Sequence, residues 1–158
     1  MQKNTKFKYF LKMTLFFLLS NTLQAEFQKI GEMVKDTQTG LYWQDNNDTN
    51  NTLLTWQGAI DYCETLNLEG KDDWRLPNIN ELRTIINRTQ PEQAIVNRFE
   101  YLEKNDHAIY WSSTSRNVHI SIGSYNIDRS YRVFVEFDIG AIDADLETKS
   151  HYVRCLRD

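Results

Sequence analysis

The chain has 158 residues, 18 basic and 22 acidic, giving a formal net charge of −4, with four Trp, eight Tyr and two Cys. An aromatic content of 13% excludes a disordered tail, because such tails lack the apolar surface needed to offset chain entropy. The acidic balance argues against nucleic acid and anionic membrane as partners, since both draw proteins through Lys and Arg.

Residues 1–25 read as a targeting segment. Lys3, Lys6, Lys8 and Lys12 form a basic leader without acidic residues, and "MTLFFLL" (13–19) is apolar but too short to span a bilayer. "LQA" then places a small residue before Glu26. This is the layout of a secretory signal peptide cleaved after Ala25, the alternative being an uncleaved N-terminal anchor. Without the leader's four Lys, 14 basic residues face 22 acidic ones, a net of −8. Residues 26–158 then make one domain of common size, with no membrane insertion after cleavage.

Residues 26–54 read as an entry strand and a loose loop. A turn at Thr39-Gly40 precedes Leu41, Tyr42 and Trp43, and "NNDTNN" (46–51) is a polar stretch that suits no regular element. A first helix follows. Thr55 is its N-cap, Trp56, Ala59, Ile60, Cys63 and Leu66 mark one apolar face, and Gly70 is its stop. A second helix starts after Pro77, with Asn78 and Glu81 spaced as a capping box and Leu82, Ile85 and Ile86 apolar. From 109 the pattern changes to strands at 109–113, 118–122, 131–137 and 151–157. Polar gaps fall at 114–117, 123–130 and 138–149. In the third strand Tyr131, Val133, Val135 and Phe137 alternate with polar residues, although Phe134 breaks the alternation. Helices early and antiparallel strands late predict an α+β fold.

"DDWRLPNINELRTIIN" (72–87) carries the strongest local signal. Pro77 fixes its own φ and holds Leu76 extended, so the chain enters the helix at a set angle. Trp74 and Leu76, two apart, face the core, and Arg75 points the other way, toward a carboxylate or free backbone carbonyls. These residues are read as structural, with Trp111 of "YWSSTS" beside them. Cys63 and Cys155 form an isolated pair. In an exported protein that is most simply a disulfide, closing a loop of about 90 residues worth roughly 4–5 kcal/mol in the chain-entropy model. Two buried thiols are the alternative, and the spacing excludes a C-x-x-C redox pair.

"VKDTQTGLYWQD", "LTWQGAIDYC", "DDWRLPNINELRTIIN", "YWSSTS", "FVEFDIGAI" and "YVRCLRD" occur in one order across about residues 34–157. In this the chain resembles the Lcl C-terminal domain family, named for the C-terminal region of a collagen-like bacterial surface adhesin. The Gly-X-Y stalk is absent: the chain has six Gly. The resemblance implies a C-type-lectin-like fold, with two helices, a small twisted antiparallel sheet and long polar loops at one end. A disulfide from the first helix to the last strand fits that arrangement. Sulfatase-modifying oxidases share the fold and an Arg-Leu-Pro before a helix, but their chemistry needs a Cys pair in the catalytic half. Cys155 is the only Cys after residue 63.

Catalysis has little support in the residues. His107, His119 and His151 belong to no G-x-S-x-G or H-E-x-x-H pattern, so the chain is expected to be no enzyme and to need no cofactor. Asp138, Asp143, Asp145 and Glu147 are spaced to converge on a calcium ion, but a solvated acidic loop is the favoured reading. Structural zinc has no ligand set. The functional candidate is "SRNVHISIGSYNIDRSYR" (115–132), with Arg116, Asn117, His119, Tyr125, Asn126, Arg129 and Arg132. Sugar recognition needs planar apolar faces beside amide, carboxylate and guanidinium groups that fork onto hydroxyls. In the adhesin this domain binds sulfated glycans through a basic face. The expected role is therefore a binding module of the periplasm or cell surface, its partner a glycan or, alternatively, another envelope protein. Asn47, Asn50 and Asn87 stand in N-x-T sequons.

Overall fold

The computed structural model describes residues 26–89, 94–102 and 108–158. The leader and His107 lie outside the described residues. The architecture is α+β, as expected, but richer in strands than the sequence pattern suggests. Among the described residues nine strands form two sheets, one ordered β1-β2-β3-β9 and the other β4-β8-β5-β6-β7.

The first sheet replaces the single entry strand. β1 (Phe27–Ile30), β2 (Met33–Asp36) and β3 (Tyr42–Gln44) form an antiparallel meander. Asp36 makes the β2–β3 turn, accepting from the amides of Gln38 (2.9 Å) and Thr39 (3.4 Å) and from the Thr39 hydroxyl (2.7 Å). The "NNDTNN" stretch is not a loose loop. Asn47–Asn50 form a 3-10 turn around Thr49, whose buried hydroxyl donates to the carbonyls of Asn46 and Tyr101. Short β4 (Leu53–Leu54) then leads into α1 (Trp56–Thr65), capped by Thr55 as expected.

Gly70 does not stop α1. The helix ends when Leu66 turns extended (ψ 127°). Gly70 serves a tight turn instead, where Leu68 and Lys71 exchange both backbone hydrogen bonds and Glu69 and Gly70 both take positive φ. Two consecutive positive φ values are the requirement of a type I′ turn, and Gly meets it without Cβ strain. α2 (Ile79–Thr84) carries the complete capping box of Asn78 and Glu81.

The largest correction concerns the late strands. β5 (Ile109–Ile122) and β6 (Tyr125–Glu136) are long and continuous, so 114–117 and 125–130 are strand, and the turn between them is only Gly123-Ser124. Gly123 takes φ 62° at the first turn position, where a type II′ hairpin favours Gly. β7 (Ala141–Asp145) fills part of the next expected gap. Residues 151–157 split into β8 (His151–Tyr152) and β9 (Leu156–Arg157), which join different sheets. One pairing, β5 with β8, is parallel.

Phe134 breaks alternation because both faces of β6 are covered at that point. Val135 and Tyr110 pack with Leu82 of α2, while Phe134 and Trp111 pack with Ala59 and Cys63 of α1. A strand buried on both sides reads as continuous apolar sequence. The Cys63–Cys155 disulfide, with Cα atoms 5.5 Å apart, ties α1 to the chain just before β9.

Candidate functional site

The hairpin is positioned at its base by an irregularity in β5. Register slips between Trp111 and Ser115, and residues 112–114 of the bulge are all engaged. Ser113 donates its amide to the Pro77 carbonyl (2.8 Å), Thr114 Oγ1 accepts from the Ile79 amide (3.0 Å), and Ser112 Oγ donates to the Val133 carbonyl (2.7 Å). Trp74 and Leu76 are buried. Arg75 faces away and forks onto Glu81 at 2.9 and 2.8 Å, with Asp158 at 3.0 Å; these partners push its pKa further up. Its backbone pairs with Leu156. The "WRLP" stretch thus docks both the last strand and the hairpin's base.

Beyond the bulge, β5 and β6 pair from Ser115↔Arg132 to Ile122↔Tyr125. Strand pleating sends successive side chains to opposite faces, so the seven candidate residues do not form one cluster. Asn117, His119, Asn126 and Arg132 share one face; Arg116, Tyr125 and Arg129 share the other. Their dense spacing in sequence spans two separate surfaces.

The first face is a connected polar strip. At its base the Arg132 guanidinium lies 4.1 Å from the Trp56 ring centroid, donates to Glu147 Oε2 (2.7 Å) and donates to Ser130 Oγ (2.8 Å). Trp56 is itself fixed, its indole donating to the Ser112 carbonyl (2.8 Å). Further out, His119 Nδ1 meets Asp128 Oδ1 at 2.6 Å, Nε2 meets Ser121 Oγ at 3.1 Å, and Ser121 Oγ donates to Asn126 Oδ1 (2.8 Å). A carboxylate only accepts, so Nδ1 carries a proton. Ser121 has one proton for two acceptors. With the ring protonated at both nitrogens it accepts from Nε2 and donates to Asn126; with the neutral ring it must choose between them. A shallow hollow of about 410 Å³ is lined from both faces, by Asn117, His119, Asp128 and Ser130 of this one and by Val118 and Arg129 of the other.

His119 and Asp128 side chains are 58% and 83% exposed. The Asp–His–Ser order is that of a hydrolase triad, but here it lies open to water. Buried, pre-aimed groups of the kind that stabilise reaction charge are a different arrangement. This geometry suits hydrogen bonding to hydroxyls.

The acidic side chains of residues 143–147 each have partners of their own. Asp143 accepts from the Ala144 amide, Asp145 from the Leu146 amide, and Glu147 is taken by Arg132. Asp138 lies in the turn that follows β6. Among the described residues no group of three His, Cys, Asp or Glu side chains is placed to hold a metal ion. Asp145 lies 3.3 Å from His151 Nε2, outside good hydrogen-bond alignment. His151 packs between Trp111 (4.3 Å) and Phe134 (5.3 Å), and that burial lowers its pKa, with Asp145 opposing.

Two features carried no clear sequence signal. Arg154 and Asp45 are fully buried and paired at 3.1 Å. Arg154 also donates to the carbonyls of Gln44 and Tyr101 and sits 4.6 Å from the Phe99 ring centroid. Asp45 accepts from Lys29 and from the amides of Glu100 and Tyr101. Burial works to raise the Asp45 pKa, but Arg154, Lys29 and the two amides together hold it below the ordinary carboxylate value. This network clamps residues 99–101 against β3. "YWQD" and "YVRC" place these charges close to aromatic residues, 109 positions apart, which was the available clue. The second feature is a hollow of about 470 Å³ lined by Arg83, Ile86, Arg88 and Ile142. Arg88 is already committed to the Gly140 carbonyl (2.5 Å).

Among the described residues no helix is long and apolar enough to cross a membrane. Compared with known proteins, residues 32–157 match the model of the Lcl C-terminal domain. No curated protein and no solved structure matches the chain.

Proposed function

Because the chain belongs to the Lcl C-terminal domain family, we propose that it is an exported, non-enzymatic glycan-binding module of the periplasm or cell surface, built on a C-type-lectin-like fold. The fold reading is supported by the two helices, the mainly antiparallel sheets and the disulfide from α1 to the segment just before β9. The family's adhesin connection supports a binding role outside the cell.

The observation that carries the glycan reading is the polar strip on one hairpin face. It presents amide, imidazole, carboxylate and hydroxyl groups in the open, with the Trp56 indole at its base. Its one guanidinium, Arg132, is already paired with Glu147, and His119 hydrogen-bonds Asp128. A surface whose guanidinium is already paired recognises hydroxyls better than clustered sulfates. The ligand class is therefore a neutral or sparsely charged glycan, unlike the sulfated ligands of the adhesin.

The test is binding of the disulfide-closed protein to neutral and sulfated oligosaccharides at about 50 and 300 mM salt. Neutral glycans are expected to bind with little salt dependence, because no counterions are released, whereas contact with several anionic groups gives a steep loss. Asn126→Ala and His119→Ala should each weaken binding about tenfold, the loss of one or two hydrogen bonds. Preference for sulfated glycans with steep salt dependence would overturn the ligand class, and no binding to any oligosaccharide would overturn the glycan reading.

A further inference from the structure

The opposite face of the hairpin has a different chemistry. Val118, Ile120 and Ile122 of β5 and Tyr125 and Ile127 of β6 share it with Arg116 and Arg129. Ile120, Ile122, Tyr125 and Ile127 are 37%, 64%, 76% and 39% exposed, and they make up half of the large exposed apolar side chains among the described residues. Scattered exposed apolar residues are ordinary; gathered ones mark interaction surfaces.

The backbone at the same place is incomplete. Among the described residues, β5 beyond Ser115 pairs with β6 alone, and β8 reaches β5 only at Tyr110. The outer edge of residues 115–122 therefore offers a row of N–H and C=O groups with no strand beside it. Exposed edges are normally blunted by Lys, Pro, a bulge or short length. Residues 117–122 contain no Lys, no Pro and no bulge, and the one formal charge on this edge is Arg116. A two-stranded ribbon is marginal in water and gains from a third strand.

We propose that the outer edge of β5 accepts an extended segment of another polypeptide as a third strand. Its apolar side chains would continue the Val118–Ile120–Ile122 face, and a carboxylate on the same face would meet Arg116. Three observations favour this occupant. The face holds two guanidinium groups and no carboxylate, on a chain in which acidic residues outnumber basic ones. A second copy paired through this face would offer it no carboxylate to meet Arg116 or Arg129. A lipid surface would cover the isoleucines but leave the edge amides unpaired. Strand addition of this kind draws affinity from the main chain and selectivity from alternate side chains. The edge and the His119–Asp128 face are separate, so this proposal and the glycan reading fail independently.

The test titrates the disulfide-closed chain against a fluorescein-labelled eight-residue peptide that alternates valine with threonine and carries one glutamate in place of the last valine. Saturable binding is expected. Ile120→Lys should weaken it about tenfold or more, and Arg116→Glu should do the same while improving binding of the peptide with lysine in place of glutamate. The peptide N-methylated at alternate amides should not bind. Near-ultraviolet circular dichroism establishes that each variant is folded. Binding of no peptide, equal binding of the N-methylated form, or indifference to Arg116→Glu would each overturn the proposal. So would a concentration-dependent dimer in sedimentation, or binding to phosphatidylglycerol vesicles, that Ile120→Lys abolishes, since either assigns the face to a different occupant.

Discussion

Asp45→Asn tests the central claim about the buried charge network. The substitution keeps size and one acceptor but removes the negative charge facing Arg154 and Lys29. Lys29, 24% exposed, lies 3.5 Å from Glu100 and can turn to it or to water. Arg154, with no exposed surface, has neither escape. An uncompensated buried charge costs about 3–5 kcal/mol. Arg154→Met is the informative contrast. It leaves Asp45 with Lys29 and two backbone amides, and strands only the carbonyls of Gln44 and Tyr101, at about 1 kcal/mol or somewhat more each. Asp45→Asn is therefore expected to be costlier than Arg154→Met. The assay is urea unfolding followed by Trp fluorescence with the disulfide intact. At a slope of about 2 kcal/mol per molar, Asp45→Asn lowers the midpoint by about 2 M and Arg154→Met by about 1 M. A shift below about 0.5 M for Asp45→Asn, or a reversed order, would refute the reasoning that Arg154 depends on this carboxylate.

Other expectations follow from the same geometry. Arg75→Ala removes the fork onto Glu81, but that guanidinium is 39% exposed; with solvent screening the loss is about 1 kcal/mol, read as a fall in Tm of about 2–4 °C, and an unchanged Tm counts against a structural role. Reducing the disulfide releases a crosslink of sequence separation 92 and should cost roughly 4–5 kcal/mol in the chain-entropy model, measured by urea unfolding with and without reductant. For His151 the folded pKa is lowered, so the unfolded chain binds more protons in the titration window. Its contribution to stability is full above the unfolded value of about 6.5 and is lost as pH falls toward the folded pKa. Melting curves at pH 8 and pH 5 should show this loss, and His151→Phe should reduce it; an unchanged pH response in that variant would remove His151 as the cause.

What the sequence made legible was local chemistry. Thr55, Asn78 with Glu81, and Pro77 each announce a helix start, because a cap or a fixed φ acts within a few residues. The same holds for Trp74 and Leu76 against Arg75, where a single alternation separates core from surface. Isolated Cys residues at 63 and 155 pointed to a bond without needing geometry. Strand ends behaved differently. The stretches 114–117 and 125–130 look like gaps because their residues are polar, yet polarity there reflects two exposed faces of a ribbon, while the hydrogen bonds that make it a strand are supplied by the backbone. In the opposite case Val133-Phe134-Val135 defies alternation because both faces are covered.

The candidate site shows where that limit matters for function. Arg116, Asn117, His119, Tyr125, Asn126, Arg129 and Arg132 are close in sequence, and read as a loop they would surround one ligand. Read as a hairpin, the pleat divides them: His119 meets Asp128 on one side, and Arg129 joins Ile120 and Ile127 on the other. One error in backbone state thus converts two surfaces of unlike chemistry into one of mixed character. The polar face has its guanidinium paired within the chain and is the one proposed to meet hydroxyls, whereas the apolar face keeps two guanidinium groups beside an open strand edge. Charge inversion at Arg116 should therefore leave glycan binding unchanged while altering peptide selectivity, and Asn126→Ala should do the reverse. If either substitution moved both activities together, the division of this hairpin into two working faces would be wrong.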